Sequence, residues 1–534
     1  MRMGSTGLMG LLFSMATISC TIKPGANAGK PLSAEKGNTV ANQAFIRTRE
    51  VISYPPNSGY WNEMAPDVKH RHFIPYWSEP QLRRHMEMLK AFGFNSIQIS
   101  ITPQAANNAG VDQQEWVTRT RFLCRAAREL GMSVSQFIWG TCVSNDQRGY
   151  RNLDWHKPED RARLEEEYRR AAEFAPYVER VITHWNDPGG PACKDCTTDT
   201  VVEMHNAILA AFRAQNPRVR GALSTWFMRP GQLWPGYEGP GKLALHPKLD
   251  RDTDIALGLM NYGADGASPD FAAKLKVDDL QEIMAARRQA GVWGWYTTDV
   301  EILPSLHVHT GLLQNYFRNL PEQTRTMVSW HSLDDNCHGL NMQNLYVAGK
   351  LMQDPTLDAG KLLDEFARGF VGPSNAAALA AALRAVEQAR TRSRRYEIEV
   401  EDPADRLHAE KKDRRTLPPV WLNETGLAVD AALRGLETVT LDPGFRTVWP
   451  VTMEPAEYLA ELKAHLAAIR QMVSFLAGVD KIKRMKADGA SAEELRQAVD
   501  ALPQVTYDPA HTAGLEPAAY RQKLASVKKL VEQK

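Results

Sequence analysis

Short apolar runs alternate with longer amphipathic stretches from about residue 70 onward, so the hydrophobic period switches between about 2 and about 3.6 residues again and again. The runs at 72–76, 95–101, 133–139, 178–182, 221–227, 255–259, 291–296 and 326–330 predict strands. Between them, 80–92, 119–130, 159–174, 201–215, 277–289 and 311–320 predict helices; in 80–92, for example, Leu82, Met86, Leu89 and Phe92 share one face. Eight strands in this rhythm, over roughly 260 residues, predict a (β/α)8 TIM barrel. A doubly wound open sheet has the same local pattern. Against it, no glycine-rich phosphate loop follows the first strand, and acidic and aromatic residues recur after several strands instead of at one crevice.

Two helices in 339–372, parted by Asp354-Pro355, close the barrel. Beyond them alanine and charge dominate, with helices expected at 376–397, 456–475 and 491–502 and a polar linker at 402–419. The chain therefore divides into an export signal (1–28), an N-terminal extension wrapping the surface (29–69), the barrel (70–372) and an α-helical domain (373–534) packed beside it.

Composition adds two constraints. Apolar residues make up 43% of the chain, enough for a full core, and 64 basic against 63 acidic residues give a net charge of +1, which excludes any argument for a nucleic-acid partner. Arg2 precedes an apolar stretch at 8–18 that is too short for a membrane span and suits an export signal. Two cleavage readings compete: Thr17-Ile18-Ser19-Cys20 has the form of a lipoprotein box, with a lipid anchor on Cys20, while Ala26-Asn27-Ala28 suits the ordinary signal peptidase. Either places the mature chain outside the cytoplasm, in the periplasm, at the outer membrane or beyond. Of the 6 cysteines an odd number remains once Cys20 is removed or acylated, so at least one thiol is free or externally paired.

In a barrel the strand ends converge on one face, which directs attention to the residues that finish each run. Residues 184–196 (HWNDPGGPACKDC) follow the central strand and carry the densest chemistry. Tryptophan is abundant, 13 in the chain, and Trp77, Trp139, Trp226 and Trp295, with Tyr262, fall where an aromatic face stacks on a sugar ring; each has an ordinary role as core filler. Trp185 and Asn186 flank the central acid. Hydrolysis of a glycosidic bond needs one protonated carboxyl at the leaving oxygen and a second, ionised one that attacks or activates water. Asp187 is the expected acid, with Trp185 and the Pro188-Gly189-Gly190 turn as dry surroundings; Asp299 or Glu301 is the expected base. Asp334 and Asp335 stand ready to assist, and for these four carboxylates helix capping is the ordinary alternative. His184, His331 and Arg229 are expected on sugar hydroxyls or a substrate carboxylate, and Gln98 and Gln136 also lie toward strand ends. Zinc held by Cys193, Cys196 and His184 is the sharpest rival, but the chain has no second cysteine pair nearby and no His-Glu-x-x-His helix. A disulfide or a buried thiol pair that pins the stretch is the simpler expectation in an exported protein, with no metal and no cofactor. Two other functions stay open: a carbohydrate-capturing surface protein without catalysis, and a polysaccharide lyase.

Asn186-Asp187, Gly189, Cys193 and Cys196 resemble the N-D-G…C-x-C-x-x-C signature of bacterial exported proteins related to the α-glucuronidases. Tyr346, Lys350, Asp354, Pro355, Asp358, Phe366 and Gly372 are similar to that group's closing segment, L-x-x-Y-x-x-A-K-L-x-W-D-P…D…L-x-x-F…Y-Y-G. The resemblance implies a (β/α)8 glycoside hydrolase with a helical domain after the barrel, acting on uronic-acid-bearing or otherwise modified glycans. It places Asp187 at the acidic position after strand 4 and Asp299 or Glu301 at the later carboxylate. Asp334-Asp335-Asn336-Cys337 departs from the glutamate-bearing strand end of that pattern.

Overall fold

The expected alternation is present in the computed structural model, which describes residues 44–52, 77–100, 113–145, 149–185, 193, 195–225, 238–257, 277–295, 308, 310–331, 340–391, 419–503 and 517–532. In chain order these hold β1 (Thr48–Ile52), α1 (Glu79–Phe92), β2 (Ser96–Ser100), α2 (Gln113–Glu129), β3 (Ser133–Trp139), β4 (Cys142–Asn145), β5 (Gly149–Asn152), α3 (Pro158–Ala171), β6 (Arg180–His184), α4 (Thr198–Gln215), β7 (Arg220–Ser224) and α5 (Pro240–Ala244). There follow β8 (Thr253–Leu257), α6 (Val277–Ala285), β9 (Ala290–Trp295), α7 (Thr310–Arg318), β10 (Met327–His331), α8 (Met342–Gln353) and α9 (Ala359–Val371). The last five helices are α10 (Ala376–Thr391), α11 (Pro419–Glu437), α12 (Pro455–Ala487), α13 (Ala492–Asp500) and α14 (Pro517–Glu532). All described residues belong to one unit, Ala44–Lys534.

Eight parallel strands close a barrel in the order β1, β2, β3, β6, β7, β8, β9, β10. β1 completes the ring by pairing Thr48 with Met327 of β10 and Glu50 with Ser96 of β2. This corrects the expected start of the barrel. The first strand lies inside the 29–69 stretch assigned to a surface extension, and the strand expected at 72–76 falls outside the described residues. The reason is local. In β1 (TREVI) Val51 joins the apolar core, but Glu50 is fully buried and its Oε2 accepts from the Ser96 hydroxyl at 2.6 Å and the Ser135 hydroxyl at 2.7 Å. A charged side chain sunk into the barrel interrupts the apolar run by which a strand buried on both faces is recognised.

Inside the barrel, alternate residues stack in layers. At the N-terminal end Asp254, 5% exposed, pairs with Arg180 (3.4 Å) and Arg220 (2.9 Å), while Arg180 also donates to the Met327 sulfur at 3.0 Å. Burial pushes the Asp254 carboxyl up and the two guanidiniums pull it back. Above them Phe137, Ile182, Ala222 and Ala256, all buried, fill the middle. The intervening residues, among them Val134, Val181, Leu223 and Ile255, pack outward in the core shared with the helices.

The closing segment is structural in its particulars. Tyr346 donates to Glu365 Oε1 at 2.6 Å, and its ring meets Phe92 of α1 (5.3 Å) and Trp449 (4.8 Å). Trp449 stacks on Phe366 at 6.1 Å and lies over Gly369, where any β-carbon would fall within 2.3 Å of its ring. Asp358 caps α9 by accepting from the Lys361 amide at 2.8 Å, and Asp354 accepts from the Thr356 amide at 2.9 Å. These residues fasten the last helices onto the barrel through a common core. The C-terminal helices exceed the expectation: α12 runs 33 residues, and α11 and α14 occupy stretches where no helix was expected. No helix among the described residues is long and apolar enough to cross a membrane. The expected export signal and Cys20 lie outside the described residues.

Candidate functional site

The C-terminal end of the barrel gathers side chains from three adjacent strands. Trp139 ends β3 and His184 ends β6, directly opposite each other in the parallel register. Their rings meet edge to face at 5.7 Å, and Phe137, one inward position lower, lies 5.4 Å from His184 and 5.6 Å from Trp139. His184 Nδ1 shares a hydrogen bond of 3.3 Å with the hydroxyl of Ser224, the last residue of β7. Burial drives the His184 imidazole down to about 3, so it is neutral across the physiological range. With Nδ1 committed to Ser224, Nε2 is left with one role, donor or acceptor according to the tautomer, and the ring is 2% exposed. To a substrate carboxylate such a ring would offer a hydrogen bond rather than a charge. Trp139 is half-buried.

Trp185, one residue on, faces the opposite way, as strand alternation requires. It is 1% exposed and belongs to the core. Its ring occupies the space beside Gly140, where a β-carbon would fall 2.0 Å from it; the Gly140 amide donates to the His184 carbonyl at 2.8 Å, and the Tyr168 hydroxyl donates to the Gly140 carbonyl. Trp185 is therefore a wedge that fixes where β3 and β6 end, not a sugar platform. Trp77 is corrected in the same way: it is 1% exposed, packed at 5.3 Å against His85, with its other flank on a cleft of ≈ 430 Å³ between the first turns of α1 and α2. Gln136, on the outward face of β3, donates to the Ala171 carbonyl at 3.1 Å, whereas Gln98 is fully buried at an inward position of β2. Trp185→Ala is expected to cost about 3–5 kcal/mol, the usual range for emptying a buried tryptophan site, and Trp139→Ala clearly less. Denaturant midpoints at unchanged slope check this; equal losses would contradict the assignment.

Trp295 and His331 stand opposite each other at the ends of β9 and β10, so the register brings these two positions to the same mouth. Asn186, Asp187, Trp226, Arg229, Tyr262, Asp299, Glu301, Asp334 and Asp335 lie outside the described residues. Sequence reasoning missed Ser224. Its signal was there: it stands two positions beyond the inward Ala222, and the same alternation extended to polar residues finds it.

Cys193 and Cys196 are joined by a disulfide with a Cα–Cα distance of 5.3 Å, just before α4. His184, the third ligand in the rival zinc reading, is hydrogen-bonded to Ser224 inside the barrel. Cys124 is a free thiol, fully buried and pushed up to about 12 by that burial, hence inert near neutral pH.

No family model matches the chain, and no curated protein matches it in sequence. Among solved structures it is similar to a GH138 enzyme targeting pectin rhamnogalacturonan II, at 12% identity and TM-score 0.52, covering 92% of this chain and 63% of that one. It is also similar to CpGH84B (12% identity, TM-score 0.48, 91% of this chain and 77% of that one). A third is the endo-β-1,4-mannanase from Thermotoga petrophila (11% identity, TM-score 0.37, 55% and 79%). The chain thus spans 63% of the length of the GH138 enzyme, and the likeness to that enzyme is one of fold. The resemblance to the α-glucuronidase-related group rests on the loop and closing-segment residues alone.

Proposed function

We propose that the chain is an exported glycoside hydrolase acting on a poly- or oligosaccharide, with uronic-acid-containing chains the first to try. One observation carries the reading: a half-buried tryptophan, Trp139, stands beside a neutral, hydrogen-bonded His184 at the barrel mouth, three residues before Asp187 in the sequence. An aromatic face next to a neutral ring nitrogen able to hydrogen-bond matches the two faces of a sugar, one apolar and one hydroxylated. In this reading Asp187 protonates the leaving oxygen, and Asp299 or Glu301 supplies the second carboxylate that attacks the sugar or activates water. The chemistry needs nothing beyond the two carboxyls. The similarity to a GH138 enzyme in fold supports a carbohydrate substrate only as analogy.

The test is a panel of plant, algal and host polysaccharides and aryl glycosides, with released sugars resolved by chromatography and ultraviolet absorbance followed alongside. Release of a reducing sugar without new absorbance is the expected result. A new ultraviolet chromophore would replace hydrolysis by elimination, and binding without turnover across the panel would replace the enzyme by a capture protein.

A further inference from the structure

A C-x-x-C pair becomes a metal site when a third ligand of suitable softness stands within reach, and here that ligand comes from a distant stretch of the chain. The turn between β5 and α3 carries His156. Its ring nitrogen and the sulfurs of Cys193 and Cys196 all lie within 4.8 Å of one another. Ligands around a tetrahedral zinc with these bond lengths stand about 3.5–3.8 Å apart, so once the disulfide is reduced the two sulfurs must separate to that spacing, with the His156 nitrogen already within 4.8 Å of both.

The surroundings hold both halves of the cluster in place. The His156 amide donates to Asp154 Oδ1 at 3.0 Å, and its neighbour Trp155 is 3% exposed, stacked on Tyr168 at 6.5 Å with the Arg161 guanidinium 4.4 Å above its ring. On the other side Cys196 is 1% exposed and directly precedes Thr197, the N-cap of the 18-residue helix α4. The positive end of a helix favours the thiolate over the thiol, the form that binds metal. Cys193 is half-buried and His156 is exposed, so the cluster opens to solvent on one side and water can complete a fourth position.

We propose that Cys193, Cys196 and His156 form a binding site for a thiophilic divalent ion, zinc foremost, in the dithiol state, and that the disulfide is the metal-free state of the same site. The interconversion balances with a dithiol or phosphine reductant. The reductant gives two electrons to the Cys193–Cys196 bond, which breaks, and each sulfur takes a proton: a dithiol supplies both protons and becomes a disulfide, whereas with a phosphine one water supplies both protons and the oxygen of the phosphine oxide. Zinc then forms two Zn–S bonds and one Zn–N bond, and both thiol protons leave to solvent. Either state tethers the chain between β6 and α4. The metal state also ties Cys193 and Cys196 to the β5–α3 turn through His156, a link the disulfide state lacks. None of this depends on the sugar-hydrolysing reading.

The experiment uses the full chain, reduced with a phosphine that is then removed without air, and titrated with Co²⁺ and afterwards Zn²⁺. The expected result is a single equivalent of Co²⁺ per chain, with a thiolate-to-cobalt charge-transfer band and intense tetrahedral d–d bands that Zn²⁺ abolishes, and no such binding by the oxidised chain. The double variant C193S/C196S should lose the bands. His156→Ala, exposed and safe to fold, should weaken Co²⁺ binding by about 100-fold or more, since even groups that only orient a ligand are worth about 10–100-fold. Equal binding by the reduced wild type and C193S/C196S would assign the metal to Cys20, Cys142 or Cys337 and overturn the site. Unchanged affinity and unchanged bands in His156→Ala would overturn it as well.

Discussion

Asp187→Asn lowers the turnover of an unactivated glycoside by about 10²–10⁴-fold, the range that a positioned general acid supplies, with folding intact. The expectation follows from what precedes the residue. His184 is held inside the barrel by Ser224, its carbonyl receives the Gly140 amide, and Trp185 is locked in the core on the outer side, so the chain leaves β6 at the mouth from a fixed point. Asparagine keeps the size and hydrogen-bonding capacity of the side chain but cannot deliver a proton. The diagnostic comparison uses an aryl glycoside whose leaving group needs no protonation. A general acid predicts that the variant loses far less rate on that substrate than on the unactivated one. Equal losses on both would make Asp187 the nucleophile or base, and an unchanged rate on both would remove it from the chemistry.

Stability is expected to fall as pH drops below about 6.5, with buried histidines setting much of the slope. His85, His184 and His205 are each driven down from 6.5 to about 3 by burial. In the window between these values the unfolded chain binds protons that the folded chain excludes. Stability is therefore fully present above about 6.5 and is lost as pH falls toward 3. Three such groups give a limiting slope of roughly 4 kcal/mol per pH unit, against a typical total stability of about 5–15 kcal/mol. The raised Asp254 carboxyl acts in the opposite sense, because a folded state that holds its proton more tightly gains stability as pH falls. His205 offers the cleanest check. Its two ring nitrogens meet the hydroxyls of Thr183 and Thr253, each at 2.8 Å, so His205→Gln keeps hydrogen-bonding capacity while removing the titration. Unfolding free energies from pH 7 to 4.5 should then depend less steeply on pH, by roughly 1.4 kcal/mol per unit. An unchanged slope would show that His205 takes no part.

Strands buried on both faces announce themselves. The runs expected at 133–139 and 326–330 match β3 (Ser133–Trp139) and β10 (Met327–His331) closely, because barrel strands under a helical layer need apolar residues on nearly every position. β1 escaped for the complementary reason: Glu50 finds hydrogen-bond donors in Ser96 and Ser135, partners from two other strands that no local pattern reveals. The same limit governs the site. Trp139 and Trp185 look alike in sequence, each an aromatic at the end of a strand, yet a shift of one residue sends the first to the mouth and the second into the core.

The sequence by itself determined the alternation of strand and helix, the barrel it closes into, the helical segment that follows and the short list of groups able to meet a sugar, since each follows from hydrophobic period and residue chemistry read along the chain. Only the tertiary structure decided which of those groups meet. It set His184 against Trp139 and Ser224, withdrew Trp77 and Trp185 into the core, and brought His156 rather than His184 to the cysteine pair. The physical reason is that alternation fixes a side chain's face only relative to its neighbours in the same strand. Which face becomes the inside, and what waits there, is set by the register and closure of eight strands together.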